Sequence, residues 1–248
     1  MPLRTAPRFS FRLLLHERSR LLTSMGGIAF ALMLMLMQLG FRNALLDSAL
    51  QLLRQLDADV VVIHKDKRPF LKRETMPAER LYQALSVEGV ASAHPLWLAQ
   101  LYWKNQQTGS ERPIRVIAFR PGSPVFRIDE VNAAAERLKQ PATALIDSRS
   151  RPDYGPIGVG PAYVSRRQIE IVGSFPLGSD FEVDGNLIVS EDTFFHLSGD
   201  SKQRIEMALI RLAPDADRDS VVEKLRQALP GDVVVLSKPE LEQRDLDY

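Results

Sequence analysis

Residues 24–41 read SMGGIAFALMLMLMQLGF, and from Leu21 to Phe41 the chain carries no charge at all between Arg20 and Arg42. That run of 21 residues constrains the fold more than any other feature. As a helix it would measure about 31 Å at about 1.5 Å per residue, matching the roughly 30 Å hydrocarbon thickness of a bilayer. A secretory signal carries an apolar region of about 7–15 residues followed by small residues at a cleavage site. Here the run is longer, and Phe41-Arg-Asn-Ala-Leu-Leu-Asp-Ser48 offers no Ala-x-Ala, so the expectation is an uncleaved span. Arg4, Arg8, Arg12, Arg18 and Arg20 precede it against the single acid Glu17, a local charge of +4 inside a chain of net +1. Positive flanks stay on the cytoplasmic side, which directs everything after about residue 42 outward.

The periodicity continues past the span. Phe41, Leu45, Ala49, Leu52, Leu53 and Leu56 recur at helical spacing among Arg42, Asn43, Asp47, Gln51 and Arg54, predicting a stalk continuous with the span. A break at Gly40 would give two helices instead, although one glycine costs a helix only about 1 kcal/mol. Before the span, Phe9, Phe11, Leu13, Leu14 and Leu15 alternate with Arg8, Arg12 and His16, as in a short helix lying on the inner leaflet. Gly27 and Ala31 form a small-xxx-small pair, the pattern that lets another helix approach closely.

From Asp57 the texture becomes that of a mixed domain. Val60–Ile63 reads as a buried strand, Pro77–Leu85 as a helix opened by proline, and Val90–Lys104 and Ile114–Phe119 as strands, the first interrupted at Pro95. The same order returns as strand Ile205–Leu212, helix Arg218–Leu229 with an apolar face of Val221, Val222, Leu225 and Leu229, and strand Val233–Leu236. Two strand-helix-strand units suggest a ferredoxin-like sandwich, an α+β fold. Residues 121–180 differ: they hold prolines 121, 124, 141, 152, 156, 161 and 176, a helical run Ile128–Lys139, and short strands near Thr143–Ile146 and Gln168–Val172. They read as a second lobe inserted into the first.

Chemistry is scarce. The chain has no cysteine and four histidines (His16, His64, His94, His196) too dispersed for a zinc site, each expected at the surface or in a turn. Gly155-Pro-Ile-Gly-Val-Gly160 lacks the lysine and the helix start of a phosphate loop and reads as a plain loop. No Gly-x-Ser-x-Gly occurs, and Asp147-Ser-Arg-Ser-Arg-Pro-Asp153 reads as a solvated turn, since Ser, Asp and Pro are what turns use. Asp57-Ala-Asp59 and the acids of Asp180–Asp184 lack the spacing of a calcium loop. No catalytic residue, cofactor site or metal site is therefore expected. The basic segment is too small for a nucleic-acid face and suits an anionic membrane surface better.

Taken together, several stretches resemble a known family. Gly27-Ile-Ala-Phe-Ala31, Met37-Gln-Leu-Gly-Phe-Arg-Asn-Ala-Leu-Leu-Asp-Ser48 and Leu56-Asp-Ala-Asp59 are similar to the first span and its exit in DevC-type permeases of cyanobacterial ABC exporters, in the MacB/FtsX superfamily. Asp147-Ser-Arg-Ser-Arg-Pro-Asp-Tyr-Gly-Pro156 and Phe175-Pro-Leu-Gly-Ser-Asp-Phe-Glu-Val-Asp-Gly-Asn-Leu-Ile188 resemble that family's inserted lobe and the return from it, and the likeness runs from about His16 to Tyr248.

The resemblance implies a periplasmic domain of two lobes, one porter-like and one inserted, carried between the first and second of four spans. It implies a homodimeric inner-membrane permease served by a separate ABC ATPase, a periplasmic membrane fusion protein and a TolC-like outer-membrane channel, exporting a glycolipid or another envelope component. The expected organisation is a basic interfacial segment (1–20), a transmembrane helix (21–41), a stalk (42–56), the porter-like lobe in two halves (57–120 and 181–238), the inserted lobe (121–180), and a lead-in (239–248) toward a second span that this sequence does not include. Residue patterns alone leave two rivals open: a single-span anchored periplasmic scaffold or adaptor, and a membrane-anchored hydrolase, the latter lacking a site.

Overall fold

A computed structural model describes residues 18–67, 73–180 and 183–246. The interfacial helix expected before the span falls on residues 1–17, outside the described residues. The chain divides into two compact units, residues 1–46 and 47–248.

The first unit is carried by helix α1, Arg18–Gln55, which is unbroken at Gly40. Its stretch Leu22–Arg42 has a mean hydropathy of 1.8 and none of it is buried by the rest of the chain. Leu22, Ile28, Leu36 and Met37 are each 63% to 69% exposed, so the helix presents apolar side chains all round. A helix of that kind is long and apolar enough to cross a bilayer and is stable in hydrocarbon or packed among other apolar helices. Near its start the Thr23 hydroxyl donates back to the Ser19 carbonyl at 2.9 Å and so needs no outside partner.

In the second unit nine strands form one sheet in the order β11-β1-β10-β3-β4-β8-β5-β7-β6. Its first four are β1 (Val60–His64), β3 (Val90–Lys104), β10 (Met207–Leu212) and β11 (Val233–Ser237). Helix α2 (Glu79–Leu85) connects β1 to β3, and helix α6 (Arg218–Ala228) connects β10 to β11. Numbered along the chain these strands lie 4-1-3-2 across the sheet, with antiparallel neighbours, which is the ferredoxin-like arrangement. The α+β fold expected from the two repeated units is thus present.

Strand periodicity divides the core. Val60, Val62, Ala208 and Ile210 point to the face covered by α2 and α6, where Leu81, Ala84, Val221, Val222 and Leu225 are buried. Val61, Ile63, Met207 and Leu209 point to the opposite face, against Leu50, Leu52, Leu53 and Leu56 from the end of α1. Alternation of period two makes this division unavoidable once β1 is central.

Strand β3 is 15 residues long and serves two partners. Its first half pairs with β10 up to Leu96, and from Leu96 to Lys104 it pairs with β4 (Glu111–Phe119). Pro95 does not interrupt it, contrary to expectation, because in that half β3 has only one neighbour and an edge tolerates a missing N–H. Beyond β4 follow β8 (Asn186–Ser190), β5 (Thr143–Asp147), β7 (Arg167–Phe175) and β6 (Gly160–Val164). Trp103 then pairs with Val164, returning β6 to β3, so these six strands close on themselves.

Three expected elements change. The helix expected from Pro77 begins at Glu79, because Met76–Pro77 pair instead with Arg204–Ile205 in a separate two-stranded sheet, β2 with β9. The run Ile128–Lys139 is split into α3 (Asp129–Ala133) and α4 (Ala135–Leu138), with Ala134 between them buried in the core. The expected strand Ile205–Leu212 is divided at Glu206 between β9 and β10. The loop read over Gly155–Gly160 is a loop until β6 begins at Gly160.

Candidate functional site

The most heavily built place in the second unit is the end of α1. Leu50, Leu52, Leu53 and Leu56 are each at most 2% exposed, inserted against the sheet face and the segment Val125–Ile128. Burying four leucines is worth roughly 6–12 kcal/mol gross, an upper figure since unfolded chains already bury some surface. The helix does not end freely. Leu56 bridges Phe126, Asp57 N–H donates to Val125 O at 2.7 Å, and Arg127 N–H donates to Gln55 O at 2.8 Å, so the chain passes from helix straight into strand pairing.

The two aspartates that follow are structural. Asp57 accepts from Arg211 at 2.6 Å and pairs with Arg127 at 3.4 Å, while Asp59 Oδ2 accepts the Leu212 N–H at 3.0 Å. Each therefore fastens the chain leaving α1 to a strand or a loop of the domain.

The last carbonyls of a helix have no partner within it and carry partial negative charge. Here Lys238 supplies both needs: its Nζ donates to Leu56 O at 2.8 Å and to Arg54 O at 3.2 Å. Lys238 is itself the first residue of helix α7, Lys238–Leu246, whose Leu241 is 2% exposed in the same apolar cluster as the α1 leucines. The start of α7 is fixed by Ser237-Lys-Pro-Glu240. Glu240 accepts from the Ser237 N–H at 2.8 Å and the Ser237 hydroxyl at 2.9 Å, a capping box, and Arg226 pairs with it at 2.9 Å. The Ser237 N–H and the Arg226 guanidinium hold the Glu240 carboxyl below its ordinary range. Incoming and outgoing helices are thus tied to each other and to one core.

A second tie runs from α1 to the closed half of the sheet. Gln51 donates through Nε2 to Leu177 O. The Leu177–Gly178 turn is set by Asp147, which accepts from the N–H groups of Arg149 (3.0 Å), Leu177 (3.1 Å) and Gly178 (2.7 Å) and from Asn186 Nδ2 (2.9 Å). Gly178 has φ of +109°, and a Cβ there would meet Gln51 Nε2 at 3.1 Å, so both its conformation and its neighbour require glycine. Arg115, paired with Asp180, reaches Asn186 Oδ1 at 3.3 Å and completes the network.

These placements revise several sequence readings. Asp147 is not part of a solvated turn: it is fully buried at the end of β5, where three of its four donors arrive from positions about thirty or more residues away. His94 lies within β3 and is partly buried, and burial together with Arg120 and Arg211 lowers its pKa. Gly27 and Ala31 lie one turn apart on α1, both exposed, with no atom within 4 Å of a Cβ built on Gly27. The structure does not bring them to any other element. Lys238, Asp147 and Gln51 were missed; the Ser-x-x-Glu pattern at Ser237–Glu240 was the one legible signal near them.

The end of α1 is a packed joint within the second unit, and comparison with known proteins agrees in fold. The sequence profile of the MacB-like periplasmic core domain matches residues 21–228. The periplasmic region of MacB from Actinobacillus actinomycetemcomitans superposes with a TM-score of 0.52 at 9% identity, over 79% of this chain and 96% of that one. The extracellular domain of YknZ, a noncanonic ABC-type transporter from Gram-positive bacteria, gives a TM-score of 0.52 at 11% identity, over 72% and 99%. No curated protein matches by sequence.

Proposed function

Because the chain belongs to the family of the MacB-like periplasmic core domain, in the MacB/FtsX superfamily, we propose that it is a permease component of an ABC-type transporter that carries motion between the membrane and its periplasmic domain. The observation that supports this reading is the joint at the end of α1. One unbroken helix contains the apolar stretch Leu22–Arg42 and ends with four leucines buried in the domain. The end of the helix is held in the domain, since leaving the core would expose Leu50, Leu52, Leu53 and Leu56 together.

In finer terms we infer a DevC-type membrane subunit in a cyanobacterial tripartite exporter. Its N-terminus faces the cytoplasm and a separate ATPase, and residues beyond about 42 face the periplasm, a membrane fusion protein and a TolC-like channel. The cargo is a glycolipid or another envelope component. Residues 57–120 and 181–238 act as the porter-like lobe and 121–180 as the inserted lobe. Gly27 and Ala31 face a neighbouring span, in the homodimer or within a longer chain. The charge asymmetry before Leu21 supports the orientation, and the motifs 147–156 and 175–188 support the DevC-type assignment.

Purification of the full-length gene product from native membranes tests the reading. Co-purification of an ABC ATPase and a fusion protein is the expected result. Recovery of neither, from a gene that also encodes no further apolar runs after codon 248, would return the protein to the anchored-scaffold class.

A further inference from the structure

Beside the joint a cleft of about 380 Å³ opens among the end of α1, the approach to β1 and the first residues of α6 and α7, lined among others by Arg54, Asp59, Arg127, Arg218, Lys238 and Pro239. Its volume falls within the range of small-ligand sites. What marks it is charge. In a chain with 32 basic and 31 acidic residues, four cations from four separate segments meet there against one lining acid. That acid, Asp59, already accepts the Leu212 N–H at 3.0 Å. The acids next to these segments are engaged as well, Asp57 by Arg211 and Arg127, and Asp217 by the Ser220 N–H at 2.9 Å. Like charges held along one wall repel one another, and an anion between them turns that repulsion into attraction.

The four cations differ in what they offer. Lys238 covers the carbonyl end of α1, donating to Leu56 O and Arg54 O, and so offsets the partial negative charge that would keep an anion away. It and Arg54 contribute charge to the wall. Arg127 directs Nε at Asp57, 3.4 Å away, and among the described residues its two terminal nitrogens form no hydrogen bond. Arg218 is exposed and forms neither a hydrogen bond nor an ion pair among the described residues. Guanidinium groups present paired N–H donors suited to oxyanions. A phosphomonoester carries a charge of about −1.5 to −2 near pH 7 and three strong acceptor oxygens, enough to meet two guanidinium groups arriving from different segments. A carboxylate brings one charge and two coplanar oxygens, and leaves most of the positive wall unanswered.

We propose that this cleft binds a phosphomonoester, whose terminal oxygens accept from the guanidinium groups of Arg127 and Arg218 while Arg54 and Lys238 add charge. The phosphate belongs either to a small soluble molecule or to a lipid headgroup, and the inference stands on the cleft independently of the transport reading.

The full chain in phosphatidylcholine nanodiscs is titrated with glycerol 3-phosphate, glycerol, acetate and hexaglutamate at about 0.15 M salt, where long-range surface attraction is screened, and binding is followed by calorimetry and phosphorus NMR. Glycerol 3-phosphate is expected to bind at millimolar concentration or tighter, well ahead of glycerol and acetate. Arg218→Gln and Arg127→Gln should each weaken it about tenfold or more with little change in thermal midpoint, since both side chains are exposed, and Arg218→Lys, which keeps the charge and loses the fork, should weaken it less. Lys202→Gln removes an exposed cation outside the cleft, paired with Asp192, and should leave binding unchanged. Displacement of glycerol 3-phosphate by phosphatidate in the nanodisc, and not by phosphatidylglycerol, assigns the phosphate to a headgroup, and absence of displacement by either assigns it to a soluble molecule. Binding of glycerol 3-phosphate no tighter than that of acetate, full binding by Arg218→Gln, equal weakening by Lys202→Gln, displacement by phosphatidylglycerol, or tighter binding of hexaglutamate would overturn the proposal.

Discussion

Asp147 and Glu206 are both almost completely buried, at 0% and 1% exposure, and the fold treats them in opposite ways. Around Asp147 the β5 end, the Leu177–Gly178 turn and Asn186 converge four donors on one carboxylate. Around Glu206 the strand pair β2–β9 and the edge of β3 leave Oε1 without a hydrogen bond, with Arg73 Nε 3.5 Å away. The first arrangement is a structural rivet, with four donors spent on one carboxylate. The second keeps a buried carboxyl short of donors, which pushes its pKa up to about 7 and is a poor way to build a core.

Substitution can break this contrast in graded steps. The largest effect is expected for Asp147→Ala. It leaves the N–H groups of Leu177 and Gly178 and the Asn186 amide without their acceptor, and it should lower unfolding free energy by about 3–5 kcal/mol in chemical denaturation of the full chain in detergent. A fall of less than about 1 kcal/mol would remove the rivet from the account.

Glu206 should behave in the reverse sense. At pH well below the ordinary carboxyl range both folded and unfolded chains are protonated there. As pH rises from about 4.5 toward 7 the unfolded chain releases the proton while the folded chain retains it, so stability declines through that window and levels off above it. The full penalty is about 3 kcal/mol, and Glu206→Gln should abolish it, gaining most at pH 8 and little at pH 4. A wild-type to variant difference that does not change with pH would show that Glu206 is solvated.

Smaller effects are expected at the joint. Gly178→Ala combines a positive φ with contact against Gln51 and should cost about 1–2 kcal/mol, with proteolysis or hydrogen exchange reporting the loosened turn near Leu177. Lys238→Met removes the donor to Arg54 O and Leu56 O and should cost about 1 kcal/mol, read as faster exchange of amides in the last turn of α1.

Legibility followed the range of the interactions. The span, the unbroken helix past Gly40 and the apolar face Val221, Val222, Leu225 of α6 follow from charge-free length and helical period, which are properties of neighbouring residues. The valines of β1 and β11 were readable as strands for the same reason. The β6–β7 hairpin was not, because its two-residue turn uses Ser165 and Arg166 at φ of 48° and 65°, where Asn-Gly would have announced it. Ala134 interrupts what looked like one helix because the core, and not helix propensity, fixed its position. Asp147 looked like a turn residue in company with serine and proline, and became the most buried acid only when residues 177, 178 and 186 came to it.

The sequence by itself determined that one helix is too apolar for water, that an α+β domain follows it, and that the two strand-helix-strand units can share a sheet. Each of these depends on side-chain period and composition within a few turns or strands. The tertiary structure alone decided the 4-1-3-2 strand order, the closure of β6 on β3, the burial of the α1 leucines against β1 and β10, and which of the two buried acids would be satisfied. Those outcomes depend on where donors and apolar faces from distant segments meet, and hydrogen-bond geometry between such segments leaves no periodic trace in the order of the residues.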